Sequence, residues 1–387
     1  MARRLAFVIN SIGRGGAERV LDIVLRNQPG WADEFEIHLI LLDDEPQMRA
    51  MGEVDKVHVL DGRGGLLRST RQLHRLLDEI APDLVVSFLV RANLAAASWR
   101  WRGGAAPVVI CERMHTSSHL AGRYRSIPTF ALGIAIRLAY RRADRVLAVS
   151  QGVAEDLAGR FSLPGERIAI VPNPYDPLAI AEAARAEPPV DLPSSYIVAV
   201  GRLVAAKNFA GLIEAFADAR PQLNGLQLVI LGEGPERDAL TAQIHRSGLE
   251  GIVHLPGYLS NPLPVMARAQ FLVSASRNEG FPNAIAESMA LSQPVIATDC
   301  PSGPAELLQG NAGAPGTVVK ARAGLIVPMD DRGAMSLAMG MLATDMDLAA
   351  ELAQAGRRRI GDFPQEKVVA QYWSLFGEYL GKTGGTP

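Results

Sequence analysis

Tyr196-Ile197-Val198-Ala199-Val200 reads as a buried parallel strand: an unbroken apolar run without polar alternation, rich in β-branched residues, that passes directly into Gly201-Arg202. What lies before it decides the fold. From Val171-Pro172-Asn173-Pro174-Tyr175 to Leu192-Pro193 the chain turns polar, alanine-rich and proline-rich, so residues 176–195 read as a linker and the strand at 196–200 opens a second domain. Before the linker, apolar runs at 5–9, 37–42, 84–88, 107–111 and 145–149 alternate with helical patterns near 16–26, 66–80 and 128–142. After it, runs near 226–231, 252–255, 270–275, 294–297 and 325–327 continue in the same way. Strand, helix, strand repetition implies α/β, doubly wound sheets. The expected division is an N-terminal Rossmann-like domain (1–175), the linker, a C-terminal Rossmann-like domain (196–365), and a helix and tail (366–387) returning toward the N-terminal domain. Two such domains facing across a cleft take ligands beyond the carboxyl ends of their strands, so chemistry is expected in the loops that follow strands.

Composition agrees and excludes several classes. A length of 387 residues exceeds one ordinary core, which favours two domains. Hydrophobic residues at 48% and charged residues at 21% place the chain among globular proteins rather than disordered ones. The net charge of -2 gives no reason to expect nucleic acid. Cys111 and Cys300 stand far apart without metal-ligand spacing, which argues against a disulfide scaffold or zinc and fits a reducing cytoplasm. Arg3-Arg4 before Leu5-Ala6-Phe7-Val8-Ile9 resembles the start of a signal peptide, but Asn10 and Ser11 end the run and no Ala-x-Ala follows, so a first strand is expected. No stretch approaches the ~20 apolar residues that span a bilayer.

The first strand-end loop is Ser11-Ile12-Gly13-Arg14-Gly15-Gly16-Ala17-Glu18. Its glycines let the backbone approach an anion at a helix start. A plain tight turn explains them equally, and their spacing is not the Gly-x-Gly-x-x-Gly dinucleotide fingerprint. In the second loop, Gly201-Arg202-Leu203-Val204-Ala205-Ala206-Lys207-Asn208, Arg202 sits at the strand end and Lys207 at the helix start. A bidentate guanidinium and a compact ammonium suit a diphosphate, and together they can neutralise a departing nucleoside diphosphate without magnesium. The alternative is a pair of solvated loop charges.

The third loop is Ser276-Arg277-Asn278-Glu279-Gly280-Phe281-Pro282-Asn283-Ala284-Ile285-Ala286-Glu287. Pro282 favours a helix starting there, which leaves Glu279 in the loop, able to lie beside a transferred sugar, and puts Glu287 about one turn inside, able to accept from a ribose. Carboxylates near a helix start also serve simply as dipole partners. A fourth loop, Thr298 to Glu306, is expected to wall the same pocket. In the first half, Glu112-Arg113-Met114-His115-Thr116-Ser117-Ser118-His119 follows a strand, and either His115 or His119 can contact a sugar or handle a proton, an ordinary surface histidine being the equal alternative.

As a set, Gly201-Arg202 to Lys207-Asn208, Glu279-Gly280-Phe281-Pro282 with Glu287 eight positions on, Pro294 to Asp299, Gly324-Leu325-Ile326-Val327-Pro328, and Gly15-Gly16-Ala17-Glu18 resemble family 4 glycosyltransferases, in order over nearly the whole chain. The resemblance implies the GT-B fold, a nucleoside-diphosphate sugar as donor and retention of anomeric configuration. It implies that Arg202 and Lys207 bind the diphosphate, Glu287 the donor ribose, Glu279 the donor sugar, Gly16 beside Gly15 the phosphate through its backbone, and His115 the sugar near the reacting carbon. Gly280, Phe281, Pro282 and Asn283 complete the donor site. Ser292 stands where relatives often have glycine and Ala305 where many have arginine, a departure on the phosphate side. The 276–308 stretch looks most like bacterial enzymes of surface polysaccharide or lipid-linked glycan assembly, hexosyl- or N-acetylhexosaminyltransferases with a glycan or polyprenyl-linked acceptor.

A retaining transfer runs through a covalent intermediate or by same-face attack, and the cationic pair favours the second. No cofactor and no metal are expected: Asp345 and Asp347 form an Asp-x-Asp, but they precede a helical stretch, where capping is the simpler role. The rival readings are a nucleotide-sugar epimerase of the same fold and a non-catalytic nucleotide-sugar-binding subunit; the absent fingerprint weighs against an oxidoreductase. Finally, Arg123, Arg125, Arg137, Arg141, Arg142 and Arg145 lie among Ile127, Phe130, Leu132, Ile134, Ile136, Leu138 and Tyr140, a basic and apolar mixture suited either to peripheral contact with the inner face of the membrane or to a core helix with solvated arginines.

Overall fold

The structure, a computed structural model, describes residues 3–13, 15–45, 51–123 and 129–381. The apolar runs of the first half are strands β1 (Arg3–Ile9), β2 (Phe35–Leu41), β4 (Leu84–Phe88), β5 (Val108–Glu112) and β6 (Arg145–Ala148), joined by β3 (Lys56–Val59) and β7 (Ile168–Ile170). They form one sheet in the order β3-β2-β1-β4-β5-β6-β7, with every pairing parallel. Residues of β4 and β5 are buried throughout, which is why their sequences lack alternation.

The second half repeats the plan with β8 (Tyr196–Val200), β9 (Gln227–Leu231), β10 (Val253–Gly257), β11 (Leu272–Ser274), β12 (Val295–Thr298), β13 (Val319–Ala321) and β14 (Gly324–Val327). Their order is β10-β9-β8-β11-β12-β14-β13, parallel except for the β13–β14 pair. In both sheets the order reverses beside the first strand of the unit, so the loops after β1 and β8 lie at a topological switch point.

The chain forms two compact units, dividing at Pro174/Tyr175 and again at Pro364/Gln365. Residues 176–195 include a short helix, Pro177–Ala183, capped by the Asp176 carboxylate and belonging to the second unit. The helix Gln365–Tyr379 belongs to the first unit, where Trp373 and Phe376 pack edge-on against Phe7 and the Trp373 indole N–H donates to the Val24 carbonyl at 3.0 Å. Its apolar face covers β1 and the helix Gly16–Arg26, so this last segment is part of the first unit's core.

Candidate functional site

In the second unit the strand-end loops are tied to one another. Lys207 lies at the end of a short turn between β8 and the helix Phe209–Ala219, and its aliphatic stem covers Gly201, where a Cβ would come within 3.2 Å of Lys207 Cε. Its ammonium pairs with Glu279 Oε1 at 2.5 Å, and the Ser276 hydroxyl donates to the same oxygen at 2.7 Å. Glu279 is buried, so these donors replace the water its charge has lost. The backbone of the loop is held as well: Ser302 Oγ donates to the Glu279 carbonyl at 2.6 Å and Thr298 Oγ1 to that of Ser276 at 2.5 Å. Arg277 closes the circuit, its N–H donating to Ala206 O at 2.7 Å and its Nε to Asp330 Oδ1 at 2.6 Å.

Close backbone approach makes this lacing possible. Gly232, at the end of β9, has φ 147°, and a Cβ there would collide with the Gly201 carbonyl. Gly303 has φ 89°, and a Cβ there would stand 2.8 Å from Gly280 O, so only glycine lets the loop after β12 pack on the loop after β11.

Pro282 precedes the helix Asn283–Ala290 and Glu287 sits inside it, buried. The Phe281 ring stacks on Tyr175 at 6.2 Å and meets Phe363 edge-on at 5.2 Å, while the Tyr175 hydroxyl donates to Asn283 Oδ1 at 2.6 Å. The side chains of Phe281 and Asn283 thus anchor the loop from behind. Arg202 is exposed, and its guanidinium has no protein partner among the described residues.

In the first unit, Gly15 precedes the helix Gly16–Arg26, and a side chain at 15 would strike the Glu18 carboxylate in the first turn. Arg14 lies outside the described residues. His115 ends the loop after β5, with Nδ1 2.9 Å from Ser118 Oγ and Nε2 3.8 Å from Asp156 Oδ1. Asp156, in the helix Gln151–Arg160, also accepts from Ser117 N at 2.9 Å. His119 stands one turn further along the helix Thr116–Arg123, its N–H bonded to His115 O.

Beneath His115, Glu112 is fully buried: Oε1 accepts from Arg113 N at 3.0 Å and Oε2 from the Tyr140 hydroxyl at 2.7 Å. Burial pushes its carboxyl above the ordinary range. Arg113 donates to Tyr372 Oη at 2.6 Å and to Asn173, which fixes the loop to the C-terminal helix. The sequence reading missed Asp156, Ser118, Ser276 and Ser302. Ser118, Ser276 and Ser302 stand in the candidate loops, where a polar residue was the available signal; Asp156 lies inside the helix Gln151–Arg160, which carries no such signal.

Gly15, Gly16 and His115 therefore belong to the first unit, and Arg202, Lys207, Glu279, Gly280, Phe281, Pro282, Asn283 and Glu287 to the second. Burial pushes both thiols, Cys111 and Cys300, up to about 12, which leaves neither a competent nucleophile. Among the described residues no group of three or more His, Cys, Asp or Glu is placed to hold a metal, and Asp345 caps the helix Met346–Ile360 through Leu348 N at 2.9 Å. No helix among them is long and apolar enough to cross a membrane.

The basic and apolar tract separates into faces along the helix Thr129–Tyr140. Ile136 and Tyr140 are buried, whereas Ile134, Arg137, Leu138, Arg141 and Arg142 are exposed. Arg145 is half-buried at the start of β6 and donates to Glu166 O at 2.7 Å. Arg125 and Ile127 lie outside the described residues, as do the side chains of Arg123 and Phe130.

The family description "Glycosyltransferase Family 4" matches residues 14–177, and "Glycosyl transferases group 1" matches residues 194–345. Over 95% of the chain, and 97% of the relative, the sequence is 31% identical to the N-acetylgalactosamine-N,N'-diacetylbacillosaminyl-diphospho-undecaprenol 4-alpha-N-acetylgalactosaminyltransferase of Campylobacter jejuni. The chain belongs to the family 4 glycosyltransferases. A second relative, the lipopolysaccharide core biosynthesis glycosyltransferase LpsE of Rhizobium meliloti, is 25% identical over 89% of this chain and 95% of its own length. Among solved structures, Anabaena HepE in complex with UDP-glucose superposes with a TM-score of 0.74 at 20% identity, covering 97% of this chain and 99% of that one. Sucrose-phosphate synthase from Thermosynechococcus elongatus gives 0.77 at 17%, covering 98% and 100%. The fold of this family 4 glycosyltransferase is GT-B, with two Rossmann-like domains.

Proposed function

We propose that this glycosyltransferase moves a hexosyl or N-acetylhexosaminyl group, with retention and without a metal ion, from a nucleoside-diphosphate sugar to a glycan or polyprenyl-linked acceptor in surface glycan assembly. One observation carries the reading: in a family 4 chain, the Lys207–Glu279 pair is held rigidly at the strand ends while Arg202, next to the glycine that Lys207 covers, keeps its guanidinium unpaired among the described residues. Two cations at one strand end, Lys207 held by Glu279 and Arg202 unspent, suit a diphosphate whose charge grows as the sugar leaves. In this reading Arg202 and Lys207 hold the diphosphate, Glu287 the ribose, Glu279 and His115 the donor sugar, and Gly15–Gly16 a phosphate.

The bond from the anomeric carbon to the diphosphate breaks, the acceptor oxygen forms its bond on the same face, and its proton passes to the departing phosphate. Glu279 is a poor choice for the nucleophile of a double displacement, because one of its oxygens already serves Lys207 and Ser276. The donor and acceptor classes accord with the UDP-glucose bound to HepE and the undecaprenol-linked substrate named for the Campylobacter enzyme. Exposed Arg137, Ile134 and Leu138 support peripheral contact with the inner face of the membrane, and hence a cytoplasmic enzyme.

The test begins with thermal-shift screening of nucleoside diphosphates and their sugars, since a ligand of the native state raises its stability. Transfer to a lipid-linked acceptor is then followed with and without EDTA. Transfer that survives chelation is expected. Loss restored by magnesium or manganese would overturn metal independence; a converted donor in the absence of acceptor would indicate an epimerase; donor binding without turnover would indicate a binding subunit.

A further inference from the structure

The loops at the amino ends of β5, β6 and β7, opposite the end that carries His115, border an open cavity of about 400 Å³ lined by Arg100, Gly104, Arg141, Arg142, Asp144 and Arg167. That volume falls within the range of small-ligand sites. We propose that this cavity is a second anion site, which binds a phosphate group independently of the donor.

The charge is unbalanced. Four guanidinium groups face one carboxylate, and Asp144 is already committed: Oδ2 accepts from Val108 N at 2.8 Å and Oδ1 stands 3.7 Å from Arg100. Part of the arginine capacity serves the fold. Arg100 NH1 donates to Gly104 O at 2.6 Å, Arg141 NH2 to Ser162 O at 3.0 Å, and Arg167 NH1 to Arg141 O at 2.8 Å. These bonds fix three guanidinium groups in place, which is the preorganisation that an oxyanion site requires.

The remaining donors are unspent. Arg167 Nε and NH2, Arg141 NH1 and the whole guanidinium of Arg142 have no protein acceptor among the described residues. Like charges that line one cavity repel one another, and a phosphate with several acceptor oxygens relieves that repulsion while using the free forks.

The surroundings favour a lipid as the carrier of the phosphate. Trp101, next to Arg100 in sequence, is 51% exposed, and Leu138, one turn before Arg141, is 51% exposed. An amphipathic aromatic and an aliphatic side chain beside a cationic site match a headgroup at a bilayer surface. The proposal thereby deepens the membrane-contact reading by naming its subsite, yet the soluble arm of the test stands without it.

In the lipid arm, flotation compares vesicles of phosphatidylcholine with vesicles containing phosphatidylglycerol, at low and high salt. In the soluble arm, calorimetry measures pyrophosphate binding to the Arg202→Ala, Lys207→Ala background, which removes the proposed donor clamp. Arg142→Ala is expected to weaken binding about fivefold, and Arg142→Ala with Arg141→Ala about 25-fold, with Arg142→Lys retaining most of it. Unchanged melting temperatures establish that the variants fold. Binding of anionic vesicles that weakens in the variants supports a lipid headgroup; binding of pyrophosphate alone, weakened in the same way, supports a soluble phosphate. Absence of both, or binding that the variants leave unchanged, overturns the site.

Discussion

The two units share a strand order but use the carboxyl ends of their sheets differently. After β8, β11 and β12 the loops bond to one another, and the result is a surface on which Lys207 and Glu279 are fixed and Arg202 is unpaired among the described residues. After β5 the loop is tied downward, Glu112 to Tyr140 and Arg113 to Tyr372, and presents His115 on a scaffold of buried polar groups. A doubly wound sheet therefore allows two solutions at the same place. One holds charge ready for a charged ligand; the other spends charge on shape.

The sharpest way to break that comparison is to remove charge from the second unit. Arg202→Ala or Lys207→Ala is expected to lower kcat by roughly 100-fold or more, as for one preorganised charge-stabilising group. Glu287→Ala is expected instead to weaken donor affinity by about tenfold, the worth of a hydrogen bond to a charged group, with a smaller effect on kcat. Steady-state kinetics alongside donor titration separates the two outcomes. Near-normal rates and unchanged affinity in both basic variants would place the clamp elsewhere.

In the first unit the corresponding change is to orientation rather than charge. Asp156→Asn keeps the shape beside His115 but alters what Ser117 and the imidazole meet. It is expected to reduce kcat about tenfold with donor affinity nearly unchanged, because an imidazole that meets the sugar near the reacting carbon serves the transition state only while its orientation is kept, and a small misplacement there costs rate. A fall in affinity with kcat intact would mean that the helix Thr116–Arg123 shapes the donor pocket instead.

The central strands and the candidate loops were legible because they are buried on both faces or punctuated by Gly and Pro, and each apolar run in the sequence became a strand. The strands that escaped, β3, β7 and β13, are edge strands or paired at an edge; β3 carries Lys56 and His58 with mostly exposed side chains, and β7 has only three residues. These three bury too little to write a pattern. The site was legible where a charge sits in a turn-rich loop, as at Arg202, Lys207 and Glu279. It was not legible where the partner comes from a distant helix, as Asp156 does for His115, or where a side chain faces backwards, as Phe281 does toward Tyr175 and Phe363.

The buried scaffold of the first unit makes a prediction in pH. Because burial raises the Glu112 carboxyl, the folded chain keeps a proton that the unfolded chain gives up above the ordinary value of 4.5. Stability should therefore fall as pH rises from about 4.5 toward the raised value. Glu112→Gln, which holds the same place without charge, is expected to flatten that slope while leaving stability at neutral pH equal or higher. Denaturant melts between pH 4.5 and 8 measure it, and an unchanged slope in the variant would mean that Glu112 stays ionised, balanced by Tyr140 and the two backbone donors.

The smallest effect expected is at Ser292, and it tests whether the second unit's specialisation extends beyond its loops. Ser292 has φ 59°, and its N–H bonds to Met289 O at 3.0 Å just past the helix Asn283–Ala290. This is the left-handed position that ends many helices and that glycine fills without strain. The helix spans about 12 Å at 1.5 Å per residue, so Ser292 stands at the far end from Pro282 and Glu279. The glycine that the family resemblance leads one to expect at this position is then explained by backbone geometry rather than by contact with phosphate. Ser292→Gly is expected to gain at most about 1 kcal/mol, since relief of the left-handed strain is partly offset by the greater freedom of glycine in the unfolded chain. Donor affinity should not move. Thermal melts with a donor titration decide it: a change in affinity at constant stability would return Ser292 to the phosphate side of the site.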